Sequence, residues 1–127
     1  MEKRRDNRFY LRDSDPSLNE RDIYVELDIN GVIRASAIDI SLFGLGLVIH
    51  EINERQIENF KSMDEVFIKL YMGSEVMFLG VKSVWNRLLS EAGKMVFKSG
   101  VRINIISPED KLKLSTLIEK MRNARVE

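Results

Sequence analysis

A chain of 127 residues with 44% apolar and 31% charged side chains is long enough for one packed core and too short for two ordinary domains. Lysine plus arginine and aspartate plus glutamate each total 20, so net charge points to neither a general nucleic-acid binder nor a polybasic membrane protein, and any anion site has to be local. The absence of cysteine excludes disulfides, thiolate metal sites and a cysteine nucleophile, and a single histidine leaves nothing from which to assemble a nucleophile and its base.

The N-terminus is charged where a signal peptide needs an apolar stretch, and no apolar run approaches the roughly 20 residues of a spanning helix, so a cytoplasmic protein with no membrane insertion is expected. Its first twelve residues hold Lys3, Arg4, Arg5, Arg8 and Arg12 against Glu2 and Asp6, a basic arm on a balanced protein. Few apolar anchors offset its ordering entropy, so residues 1–12 are read as a mobile arm and 13–127 as one domain.

From residue 22 to residue 106 the pattern has the period of two that marks strands. Ile23, Val25, Leu27 and Ile29 share one face and Tyr24, Glu26 and Asp28 the other. Asn30-Gly31 marks a hairpin. A two-residue turn would set Arg34 opposite Leu27; one more loop residue brings Ile33, Ala35 and Ala37 to the apolar face, which favours a three-residue loop or a bulge. Asp39 to Gly44 reads as a polar turn, followed by a strand over Leu45 to Ile49. Residues 51–62 read as a loop with about one helical turn, and Glu51, Glu54, Glu58, Asp64 and Glu65 as a solvated face. Val66, Ile68, Leu70 and Met72 alternate up to Gly73-Ser74; a long strand runs through Val76, Phe78, Val81 and Trp85, and a last one over Met95 to Ile106. Trp85 is assigned to the core in preference to a stacking platform, and His50 to a strand end. Short strands joined by such turns predict a mainly β fold, an antiparallel sandwich or small barrel.

The chain closes on a helix. Ser107 is an N-cap residue, Pro108 suits the first helical position, and Glu109 and Asp110 face the positive end of the helix dipole. Leu114, Leu117, Ile118 and Met121 then recur at helical spacing over about 108–123, a stripe that docks on the barrel.

Two motifs remain, Arg4-Arg5-Asp6-Asn7-Arg8 and Asp39-Ile40-Ser41-Leu42-Phe43-Gly44. Forked, permanently charged arginines grip phosphate oxygens or the Hoogsteen edge of guanine, and a polar turn can read a base. Their order and strand context resemble the PilZ family, receptors for the bacterial second messenger cyclic di-GMP. In that family an Arg-x-x-x-Arg segment wraps over an Asp/Asn-x-Ser-x-x-Gly segment; Arg4 and Arg8 match the first, and Asp39, Ser41 and Gly44 the second. Gly100-Val101-Arg102-Ile103 is similar to the Gly-Val-x-Phe run of the family's last strand, with Ile103 in place of the aromatic residue.

The resemblance implies a small antiparallel split-barrel-like β-barrel with a C-terminal α-helix and a non-enzymatic receptor needing neither metal nor other cofactor. Arg4 and Arg8 would contact phosphate and guanine, Arg5 would add charge, Asp39 and Ser41 would meet a guanine edge, and Gly44 would form the close turn. Binding would be relayed to an unidentified effector protein. Two other readings stand beside it: a PilZ-like adaptor that binds partners without nucleotide, and a small barrel for single-stranded nucleic acid, which neutral charge disfavours.

Overall fold

The computed structural model describes residues 9–10 and 23–126. Along the chain run β1 (Phe9–Tyr10), β2 (Ile23–Asp28), β3 (Val32–Ile40), β4 (Gly44–Ile49), α1 (Glu54–Ser62), β5 (Val66–Met72), β6 (Glu75–Glu91), β7 (Lys94–Ile106) and α2 (Pro108–Val126). The strands pair antiparallel in the order β3-β2-β5-β6-β7-β4, and β4 returns to β3, closing a six-stranded barrel onto which β1 is added beside β3. Closure leaves every barrel strand with two neighbours over at least part of its length, which removes most of the edge that an open sheet would expose.

Alternation builds the interior. Val25, Leu27, Ile33, Ala35, Leu45, Leu47, Ile68, Leu70, Met77 and Leu79 all point inward and are buried. The β2–β3 connection has the three-residue form: Asp28 pairs with Val32 and Leu27 with Ile33, leaving Ile29 to Gly31 as the loop. Asn30 (φ 55°) and Gly31 (φ 121°) supply the left-handed backbone it requires.

Both helices pack against β6 and send side chains into the core. Ser107 Oγ accepts the Asp110 N–H at 3.1 Å to start α2, and Leu114, Ile118 and Met121 sink into the core. Residues 51–62 correct the sequence expectation, because α1 runs for nine residues instead of one turn. Its cause is a full capping box, in which Asn53 Oδ1 accepts the Gln56 N–H at 2.8 Å and Gln56 Oε1 accepts the Asn53 N–H at 3.0 Å. Phe60, fully buried, meets Phe97 edge-on with ring centroids 6.0 Å apart and fixes the helix to the barrel. Among the described residues no helix is long and apolar enough to cross a membrane.

Candidate functional site on the barrel wall

Asp39 and Trp85 are both turned to the outside of the barrel by β-bulges. In β3, Ile33, Ala35 and Ala37 face inward, and strict alternation would send Asp39 after them. A register shift between Ala37 and Asp39 reverses this, so Asp39 pairs with Gly46, on the outer face of β4. In β6, Val81 and Ser83 share the inner parity, and a second shift between Ser83 and Trp85 places Trp85 opposite Gly100 on the outer face. Bulges re-aim side chains in this way at the cost of a local break in the ladder. Trp85 is accordingly 44% exposed, which corrects its assignment to the core.

The two residues end one cross-strand row, Asp39–Gly46–Gly100–Trp85, running across β3, β4, β7 and β6. Both central positions are glycine for a steric reason. A Cβ on Gly46 would strike the Asp39 carboxylate, with Cγ only 2.9 Å away; a Cβ on Gly100 would strike the Trp85 ring, with Cε2 at 2.6 Å. The carboxylate covers Gly46 and the indole covers Gly100, so the two side chains lean towards each other and bury both glycines.

Ser41 is buried and shapes the turn. Its Oγ accepts the N–H groups of Phe43 at 3.0 Å and Gly44 at 3.1 Å, and its own N–H donates to the Gly44 carbonyl at 3.0 Å. This hydroxyl satisfies backbone donors that the turn leaves open. Gly44 pairs with Arg102, and a side chain there would collide with the Val101 carbonyl. Phe43, at the tip, is 55% exposed, while its carbonyl accepts the Ile103 N–H at 2.7 Å and ties the turn to β7.

Positive charge flanks the row on both sides. On one side Lys98 and Arg87 are cross-strand neighbours; on the other Arg102 and Lys82 are. Lys98, half-buried, pairs with Glu91 at 3.3 Å, and Lys82 pairs with the exposed Asp64 at 3.5 Å; surface ion pairs of this kind hold little energy. Arg102 Nε donates to the neutral Asn104 Oδ1 at 3.1 Å, so its charge is not cancelled by that contact. Beyond Val48 the outer face dips into an open groove of about 980 Å³ lined by Tyr24, Arg34, Ser36, His50 and Lys94 among others. His50 lies there, exposed, just past the end of β4.

Of the residues singled out from sequence, the structure brings Asp39, Ser41 and Gly44 together at one end of this row. Arg4, Arg5 and Arg8 lie outside the described residues, as does most of the arm; Phe9–Tyr10, within it, forms β1 and pairs with Ile40 and Asp39. Gly46, Gly100, Trp85 and Arg102 join the site only through strand register. The tandem Gly44 and Gly46, together with Gly100, were the available signal, but their partners become visible only once the strands are paired. Among the described residues no cluster of histidine, aspartate and glutamate is arranged to hold a metal ion.

No family model matches the sequence, and no curated protein matches it. Solved structures do match in fold. The PilZ domain with c-di-GMP of YcgR from Escherichia coli superposes with a TM-score of 0.71 at 18% identity, over 98% of this chain and 95% of that one. The K. pneumonia MrkH–c-di-GMP complex gives 0.70 at 17% identity, over 93% of this chain and 52% of that one. The Bacillus subtilis inhibitor of motility MotI/DgrA gives 0.66 at 15% identity, over 98% and 54%. The chain has the PilZ-domain fold. It spans nearly all of the isolated YcgR domain and about half of the MrkH and MotI chains.

Proposed function

We propose that this protein is a receptor for cyclic di-GMP that acts by binding alone, without catalysis, and passes the signal to a partner protein. The observation that carries the reading is the pairing of β1 with the second motif: Tyr10 lies opposite Asp39, and Phe9 opposite Ile40. Arg8 is joined directly to Phe9, and adjacent α-carbons are about 3.8 Å apart. This pairing supports the reading that the first motif, which precedes β1 directly in sequence, acts together with the second.

A cyclic dinucleotide presents two phosphates and two guanines. Arg4 and Arg8 supply forked cations for phosphate oxygens and the guanine Hoogsteen edge, with Arg5 as added charge. Asp39, lying over Gly46, accepts guanine N–H groups. Trp85 at the far end offers a stacking surface, and the flanking Arg102, Lys82, Lys98 and Arg87 favour the dianion over a neutral ligand. Ser41 acts by holding the turn, and Gly44 by its close approach to β7. The fold neighbours whose structures contain c-di-GMP support the ligand assignment; the effector is left to experiment.

Titration calorimetry with cyclic di-GMP tests the proposal. Saturable heat is expected, with the linear dinucleotide and GTP binding much more weakly. An absence of both heat and amide chemical-shift changes at a large excess of ligand would overturn it and leave the nucleotide-independent adaptor.

A further inference from the structure

Ser99 is an unusual residue for its place. The inward positions of β7 are Phe97, Ser99, Val101 and Ile103, and Ser99 pairs with the buried Leu47 of β4. Its neighbours fill the core with carbon, whereas Ser99 brings a hydroxyl to a position that is 0% exposed. A buried hydroxyl is destabilising unless it is hydrogen-bonded. Ser99 Oγ donates across to β6, to the main-chain carbonyl of Trp85, at 3.2 Å.

That carbonyl belongs to the bulge. Ser83 pairs with Val101 and Trp85 with Gly100, which makes Val84 the inserted residue and interrupts the ladder. Beyond Val81 this stretch of β6 has no second neighbour among the described residues, because β5 begins at Val66 and Val66 already pairs with Val81. β7 alone therefore holds the bulge. A second side-chain contact spans the inserted residue along β6 itself, where Asn86 Nδ2 donates to Ser83 Oγ at 3.4 Å. Residues three apart in an unbroken strand face opposite sides, and the insertion is what brings these two to the same one.

We propose that Ser99 is a positioning residue for Trp85: from inside the barrel its hydroxyl holds the β6 bulge in the register that turns the indole outward over Gly100. Ser99 acts through the backbone and touches no ligand. A serine kept only because it is small would be replaced without consequence by alanine, which lacks Oγ and is otherwise nearly the same size. Only the effect on nucleotide affinity rests on the function proposed above; the positioning itself is read without nucleotide.

Trp85 is the single tryptophan of the chain, so fluorotryptophan labelling of the full-length protein gives one fluorine NMR signal. In nucleotide-free protein Ser99→Ala should shift or split that signal and raise acrylamide quenching of the indole emission, as the ring leaves Gly100, while far-UV circular dichroism shows the fold retained. Ile68→Val, a small deletion in the core on β5, should lower stability in a urea melt and leave the indole signal in place. Affinity of Ser99→Ala for cyclic di-GMP should fall by about three- to tenfold. An unchanged indole signal and unchanged quenching in folded Ser99→Ala, or an equal change in Ile68→Val, would overturn the proposal. A moved signal with wild-type affinity would uphold the positioning and remove Trp85 from the ligand site.

Discussion

Gly46→Ala is the substitution that most directly asks whether the barrel wall binds ligand through Asp39. Gly46 does not have a positive φ, so alanine is acceptable to its backbone and the strain falls on what the new methyl meets. That is the Asp39 carboxylate: besides the oxygen it would overlap, Cγ stands at 2.9 Å and the other oxygen at 3.1 Å. The carboxylate has to move by an ångström or more, out of the position from which it can accept from a base. Losing charge-assisted hydrogen bonds of this type costs about 1.5–3 kcal/mol, a fall in cyclic di-GMP affinity of about ten- to a hundredfold. The core is untouched, since Leu45 and Leu47 point the other way and remain buried. Calorimetric titration of wild type and variant gives the affinity ratio, and a urea melt reports the fold. Wild-type affinity in a folded Gly46→Ala protein would refute the assignment of Asp39 to the ligand.

Ser41→Ala should act on stability, because two backbone N–H groups lose a buried acceptor. A loss of about 1–3 kcal/mol in the denaturant extrapolation is expected. Trp85→Ala should divide the other way, with unfolding little changed for a side chain 44% exposed and nucleotide affinity reduced by the about 1–3 kcal/mol of one stacked base; a large stability loss with normal affinity would return the indole to a structural role. On β2, beside β3, hydrogen bonds first from Arg34 and then from Tyr71 hold the Glu26 carboxyl below its ordinary value of 4.5. The stability this adds is present above that value and is lost as pH falls through the lowered folded-state pKa, so the advantage of wild type over Glu26→Gln in urea melts should shrink on acidification. A gap that widens instead would contradict the sign.

Much of the barrel was legible because strand parity is a local property. The loop of Ile29 to Gly31 followed from asking which register keeps Ile33, Ala35 and Ala37 on the apolar side, and the helix at Pro108 from its cap and its stripe. α1 was shortened because its neighbourhood is polar and its one deep anchor, Phe60, finds its partner Phe97 far along the chain. A cap built from Asn53 and Gln56 is also a weaker textual signal than the serine or threonine form. Parity also explains the error at Trp85. Counting from Val81 by twos assigns it inward, and only the bulge after Ser83, a feature of pairing with β7, turns it out.

The same device explains why motif and site are related as they are. Asp39 belongs by count to the inward set of β3, where an unpaired carboxylate is heavily disfavoured; the bulge after Ala37 delivers it to the outer face, onto a glycine. Trp85 arrives from the opposite side by its own bulge, also onto a glycine. Two strands that meet only through β4 and β7 thus each break register where the partner strand has no side chain. Glycine at both positions is what lets each side chain lie down over the neighbouring strand, so that a carboxylate and an indole meet on one outer row.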